Sequence, residues 1–336
     1  MEKPMPSVTA PFSRRQMLGV CAVSILSPWS LTYGASNDMG FQLSWIKSIQ
    51  YGGYFAGLEI KSFARYGINA SFVSGGPNID PIANVAAGQF QLGDRPSGPL
   101  VVARERGMPL KIIANVFQRS PMSIMSLASK PVRSVQDLKG KTIAVATSSR
   151  PLVLNLLREA GVDPSNVNIV PSSPDPSALV SGQIDAYSGY STNQGVMLET
   201  RGVKIFSLNA SDLGMPETAG AIYGRQDYLD KNREQVVSFL KGAVDGWTWA
   251  LANPEKTARL MVDKYGAPGL DYNAQLAEIK ASAPYLRAGR NKELLALDLD
   301  LYSRIIEMYR KVGMVKSNMS AADLCDSSFI NAALAA

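Results

Sequence analysis

A chain of 336 residues, 46% hydrophobic and 18% charged, with a formal charge of +6, is large enough for two separately cored lobes. It contains no histidine, which excludes Ser-His-Asp and Cys-His catalysis, imidazole metal sites and a histidine acid-base. Its charges are interspersed without a basic block, so nucleic acid is not expected as a partner.

The chain opens on an export signature. Ser13-Arg14-Arg15-Gln16-Met17-Leu18 precedes the apolar run Gly19-Val20-Cys21-Ala22-Val23-Ser24-Ile25-Leu26, and a small-residue cleavage site lies near Ala35. The arginine pair resembles a twin-arginine signal, and the apolar run is too short for a stable membrane span. Residues 1–35 are therefore expected to be removed on export to the periplasm. Cys21 would go with them and leave Cys325 without a disulfide partner. Losing Lys3, Arg14, Arg15 and Glu2 would leave 31 basic and 27 acidic residues, a net charge of +4.

Beyond the leader, strand-like runs alternate with helical patterns. Strand 41–46, helix 51–65, strand 68–73, helix 79–87, strand 90–93, helix 98–106 and strand 110–117 make a first series. A second comprises strands 123–128 and 142–146, helix 152–160, strand 168–170, helix 177–181, strand 184–187, helix 194–201 and strand 204–208. From Tyr228 onward the pattern is nearly all helical, broken at Pro254, Pro268 and Pro284. The two series share a signature. Asp80-Pro81 leads to Gly88-Gln89, and Asp175-Pro176 leads to Gly182-Gln183, each glycine fitting the left-handed position after a short helix.

Such βαβ alternation predicts an α/β fold with parallel-rich sheets flanked by helices, and the repeated signature implies two similar lobes. Residues 40–120 and 216–336 are expected in lobe 1 and 121–215 in lobe 2. The chain should cross near Arg119-Ser120-Pro121 and return between residues 209 and 221.

Ligands of open α/β sheets sit at the carboxyl ends of strands, so the turns there are the candidate site. They offer Trp45, Gln50, Tyr51 and Tyr54, then Asp94 and Arg95, then Ser148 and Ser149, then Tyr187 and Tyr190. Glu217 joins them from its place near the return crossing. Rings can stack on a planar ligand while hydroxyls and amides read its edge, and Arg95, Arg119 or Arg150 could meet an anion. Each also has a structural alternative. Tyr51 and Tyr54 lie three apart on one helix, Gly52-Gly53 can serve close packing, and Asp94 can cap the helix after Pro96. Trp247 and Trp249 lie two apart on a helix, so packing explains at least one of them. HExxH, Walker, CxxC and GxSxG motifs are absent, and neither a metal nor a cofactor is expected.

The run Leu43-Ser44-Trp45 through Gln50-Tyr51-Gly52-Gly53-Tyr54-Phe55-Ala56 resembles the opening of periplasmic substrate-binding proteins of ABC importers. The branch is that for nitrate, sulfonates, taurine and thiamine-pyrimidine precursors. Asp137-Leu138-Lys139-Gly140-Lys141-Thr142, Leu156 to Val162 and Gly182-Gln183-Ile184-Asp185-Ala186 extend the resemblance over nearly the whole chain after the leader. It implies a non-catalytic monomer that closes two lobes on a small molecule and delivers it to a membrane permease driven by a cytoplasmic ATPase. The aromatic turns favour a planar heterocycle, such as a thiamine pyrimidine precursor or a flavin-like compound, and the arginines favour a sulfonate, taurine or nitrate. An exported enzyme without histidine and a ligand sensor are the readings from other classes. A eukaryotic enzyme of the same fold makes the thiamine pyrimidine from its own active-site histidine, which this chain lacks.

Overall fold

In chain order the strands are β1 (Asp38–Gln42), β2 (Asn69–Val73), β3 (Leu92–Arg95), β4 (Leu110–Phe117), β5 (Met122–Leu127), β6 (Thr142–Val145), β7 (Asn168–Pro171), β8 (Ala186–Tyr190), β9 (Ile205–Asn209) and β10 (Ala219–Arg225). They belong to a computed structural model that describes residues 37–76, 79–288 and 292–335. The expected export segment, 1–35, lies outside the described residues.

The strands form two five-stranded sheets, ordered β2-β1-β3-β10-β4 and β7-β6-β8-β5-β9. In the first, β1 pairs parallel with β2 and β3; in the second, β6 pairs parallel with β7 and β8. Parallel neighbours need crossover segments, and the helices Gly52–Glu59, Pro81–Ala86, Arg150–Glu159 and Ser177–Val180 supply them. The fourth strand of each sheet arrives from the other sheet and runs antiparallel to both neighbours. β5 follows β4 into the second sheet, and β10 follows β9 back between β3 and β4. The sheets are therefore mixed, because the two crossing strands enter against the βαβ direction.

The shared signature builds the same unit twice. The Asp80 carboxylate accepts the Ile82 N–H at 3.0 Å, and Asp175 accepts the Ser177 N–H at 2.8 Å. Gly88 and Gly182 end their helices at φ +76° and +74°, a region that disfavours a side chain.

Several expected elements differ: the strands expected at 90–93 and 184–187 lie at Leu92–Arg95 and Ala186–Tyr190. The first strand stops at Gln42, because beyond Leu43 the backbone turns away to bond Asp94. The helix expected over 51–65 divides into Ile49–Tyr51, Gly52–Glu59 and Ser62–Arg65, with Lys61 left-handed at φ 58°.

The core of the first sheet is aromatic. Tyr54 stacks on Phe72 at 5.0 Å and meets Trp247 edge-on at 5.9 Å, and Phe41 stacks on Phe239 at 5.7 Å. The helix Arg233–Ala252 lies close over Gly52–Glu59, since a Cβ on Gly53 would overlap the Trp247 ring and one on Gly246 the Gly53 carbonyl. Gly53 thus serves close packing. The second sheet has a smaller core of its own, around Met125, Leu179 and Leu198.

Candidate functional site

A cavity of about 210 Å³ opens between the carboxyl ends of the two sheets. The first sheet contributes Ser44, Trp45 and Gln50 after β1, Gly76 after β2, and Arg95-Pro96 at β3. The second contributes Thr147 and Ser149 after β6, Ser172 after β7, Tyr187 to Tyr190 on β8, and Gln194 beyond it. Of the expected residues, Trp45, Gln50, Arg95, Ser149, Tyr187 and Tyr190 line this cavity. The side chain of Ser148 lies outside the described set.

The other expected residues stand behind the wall. Asp94 is 1% exposed; its Oδ1 accepts the Ser44 N–H at 2.8 Å and its Oδ2 the Ser44 hydroxyl at 2.9 Å. Burial lifts its pKa to about 6, although the Ser44 hydrogen bonds and the Arg95 charge pull it down. The Tyr51 hydroxyl lies 3.0 Å from Ser44 Oγ and accepts from Gln50 Nε2 at 3.3 Å. Asp94 and Tyr51 therefore fix the turn that presents Trp45. Asp94 does not cap the next helix, whose N-cap is Pro96. Tyr54 belongs to the core.

Glu217 lies on the return connection, where Ser120 of the outward connection donates its hydroxyl to Oε2 at 3.2 Å and its N–H to the Glu217 carbonyl at 3.3 Å. Burial lifts the Glu217 carboxyl to about 7, and the Ser120 bond only partly offsets this. The two crossings are thus tied to each other beside the cleft.

Across the cavity, the Tyr187 hydroxyl donates to the Ser173 carbonyl at 2.6 Å, and burial pushes its pKa up to about 12. It presents a neutral ring. The Tyr190 N–H donates to Gln194 Oε1 at 2.9 Å, and its ring leans on Phe117 of the other sheet at 6.4 Å.

Arg95 is the arginine that reaches the cavity, and its Nε is buried without a hydrogen-bond partner among the described residues. Arg119 instead lies over the Tyr285 ring at 4.8 Å, and Arg150 is exposed. Among the described residues, no group of three or more Cys, Asp and Glu side chains could hold a metal. Cys325 is buried at a bridge to Ile112, where burial raises its thiol pKa. No described helix is long and apolar enough to cross a membrane.

Ser44 and Gln194 are site residues that sequence reasoning did not select. A serine after a strand and a glutamine inside a helix carry no distinctive pattern; only the partner Asp94, fifty residues away, marks Ser44.

The model of the NMT1/THI5-like family matches residues 49–257, more than half of the chain. The protein is a member of the NMT1/THI5-like family. This NMT1/THI5-like chain is 26% identical over 242 residues to the formylaminopyrimidine-binding protein of Halalkalibacterium halodurans, covering 69% of this chain and 73% of that one. It is 23% identical over 301 residues to the riboflavin-binding protein RibY of Chloroflexus aurantiacus, covering 86% and 84%. Its fold is that of periplasmic binding proteins. The aliphatic sulphonate-binding protein SsuA of Escherichia coli superposes with a TM-score of 0.67 at 17% identity, covering 86% of this chain and 92% of that one. The desulfurization enzyme DSZB shares the fold with a TM-score of 0.59 at 14% identity, covering 88% and 99%.

Proposed function

We propose that this protein is the substrate-binding component of an ABC importer and captures a small planar heterocycle outside the cytosol. The observation that carries this reading is that Trp45 from one sheet and Tyr187 from the other wall a single cavity edged by hydroxyls and amides. A ring stacked on either aromatic gains about 0.5–1.5 kcal/mol beyond its burial, and Ser44, Gln50, Ser149 and Gln194 supply donors and acceptors for its edge. Relatives named for a formylaminopyrimidine and for riboflavin support the same ligand class.

In this reading 40–120 with 216–336 and 121–215 are two halves that hinge where Ser120 meets Glu217, and closure buries the ligand. The loaded monomer then docks on a membrane permease driven by a cytoplasmic ATPase, after export directed by residues 1–35. We read the site as binding rather than catalytic. The buried carboxylates Asp94 and Glu217 are committed to Ser44 and Ser120 and are not among the cavity-lining residues.

The test is mass spectrometry of ligand released from the purified protein, followed by titration calorimetry on pyrimidines, flavins, sulfonates and nitrate. Trp45→Ala is expected to weaken heterocycle binding by about 1–3 kcal/mol, roughly 5- to 150-fold, with the unfolding midpoint nearly unmoved. Unchanged affinity would remove Trp45 from the site.

A second reading, capture of a sulfonate, taurine or nitrate, is supported by the Arg95 Nε in the cavity wall, which has no hydrogen-bond partner among the described residues. Arg95→Met is expected to abolish anion binding and to spare a neutral heterocycle. The opposite pattern rejects the anion.

A further inference from the structure

Trp45 lines a second cavity as well, of about 180 Å³, and Glu278 of the helix Tyr272–Leu286 lines the same cavity. Glu278 is 3% exposed, and its partner among the described residues is Asn193, whose Nδ2 donates to Oε2 at 2.7 Å. An ionised carboxylate accepts about four hydrogen bonds, so one amide leaves most of that capacity unused. Asp175 and Arg201 sit at the edge of the same cavity and pair with each other at 3.3 Å. With Glu278 ionised, the lining carries two carboxylates and one guanidinium, a net charge of −1. Gln275, one turn before Glu278, accepts the Ile49 N–H at 2.7 Å and ties this helix to the segment that carries Trp45.

We infer that the cavity behind Trp45 is a subsite for a protonated amino group on an arm of the ligand, with Glu278 as its counter-ion and Asn193 holding that carboxylate in place. The inference rests on the heterocycle reading above: Trp45 lines both cavities, so a ring held against its indole in the first can extend a substituent into the second. The subsite selects, within that class, heterocycles bearing a short aminoalkyl arm. Binding moves a proton. Burial lifts the Glu278 carboxyl to about 8, so at neutral pH the empty subsite holds it mostly protonated. An arriving ammonium favours the carboxylate, and the Glu278 proton leaves to the buffer.

The experiment uses matched ligand pairs, a 4-aminopyrimidine pair and an isoalloxazine pair, each differing only in an aminomethyl against a hydroxymethyl arm. Calorimetry is run at pH 7 on the wild type and on Glu278→Gln, which keeps an oxygen for Asn193. The wild type is expected to prefer the aminomethyl member about tenfold or more, and Glu278→Gln should bring the two within about twofold. As a readout independent of any variant, the wild-type binding enthalpy of the aminomethyl ligand should vary with the ionisation enthalpy of the buffer, reporting release of most of a proton. Equal affinity for the two arms, or a preference that survives in Glu278→Gln, overturns the subsite and leaves the heterocycle reading standing. Failure of every member of both pairs to bind overturns that reading and takes the subsite with it.

Discussion

The two sheets share one strand order yet hold their faces of the cleft in different ways. In the first, the Ser44-Trp45 turn is pinned by side chains, with Asp94 on both the N–H and the hydroxyl of Ser44 and Tyr51 against that hydroxyl. In the second, the Thr147–Ser149 turn is closed by backbone, its Ser149 N–H on the Ala146 carbonyl at 2.9 Å, and the side-chain tie is Tyr187 on Ser173. Burying Asp94 costs free energy that its hydrogen bonds only partly return, visible in its raised pKa. That cost fixes an aromatic wall before ligand arrives, which reduces the ordering entropy lost on binding. The first sheet thus holds its wall through buried side-chain hydrogen bonds, and the second holds its wall chiefly through backbone ones.

The largest effect expected from testing this contrast lies outside the cavity. Tyr54→Ala removes a fully buried ring among Phe41, Phe72 and Trp247. It should destabilise by about 3–5 kcal/mol in denaturant unfolding while the folded fraction keeps its affinity. A selective loss of affinity would return Tyr54 to the site. Asp94→Ala leaves the N–H and hydroxyl of Ser44 without their acceptor. It should cost about 1–3 kcal/mol of stability and weaken ligand binding as well, because the wall loosens. If binding holds while stability drops, the wall does not depend on Asp94.

The junction between the sheets gives a pH signature. The Glu217 carboxyl is raised from 4.5 to about 7 in the folded state. Its protonated form therefore stabilises the fold fully below about pH 4.5, and that contribution is lost as pH rises through 7. Glu217→Gln should flatten the fall in thermal midpoint over this window. An unchanged slope would show that Glu217 titrates normally. The smallest effect belongs to the second sheet: Tyr187→Phe removes one hydrogen bond and should cost about 0.5–1.5 kcal/mol of stability, read from chemical denaturation. A larger cost there than for Asp94→Ala would reverse the comparison.

Local pattern carried much of the fold. Leu110–Phe117 stands with the bounds its apolar run suggested, and the Asp-Pro and Gly-Gln pairs marked two equivalent helices correctly. β10 was illegible because Ala219–Arg225 mixes glycine with apolar residues and is buried on both faces, without period-two alternation. At the site, the turns after each strand were readable, since topology places them. What each turn residue does was not. Tyr51 and Gln50 are adjacent in sequence, yet one braces Ser44 and the other lines the cavity. That split depends on Asp94, brought close only by the pairing of β1 with β3.

The placement of β10 also constrains how the chain can assemble. Ala221 lies opposite Arg95, 126 residues earlier, and Asn115, 106 residues earlier. The gap between β3 and β4 therefore stays open until the whole second sheet and its return connection have been synthesised. Loops of that length close slowly, because their entropy is lost before any contact repays it. A nascent chain halted before residue 219 would leave the facing edges of β3 and β4 without their shared partner strand, and unpaired edges of that kind invite pairing with other chains.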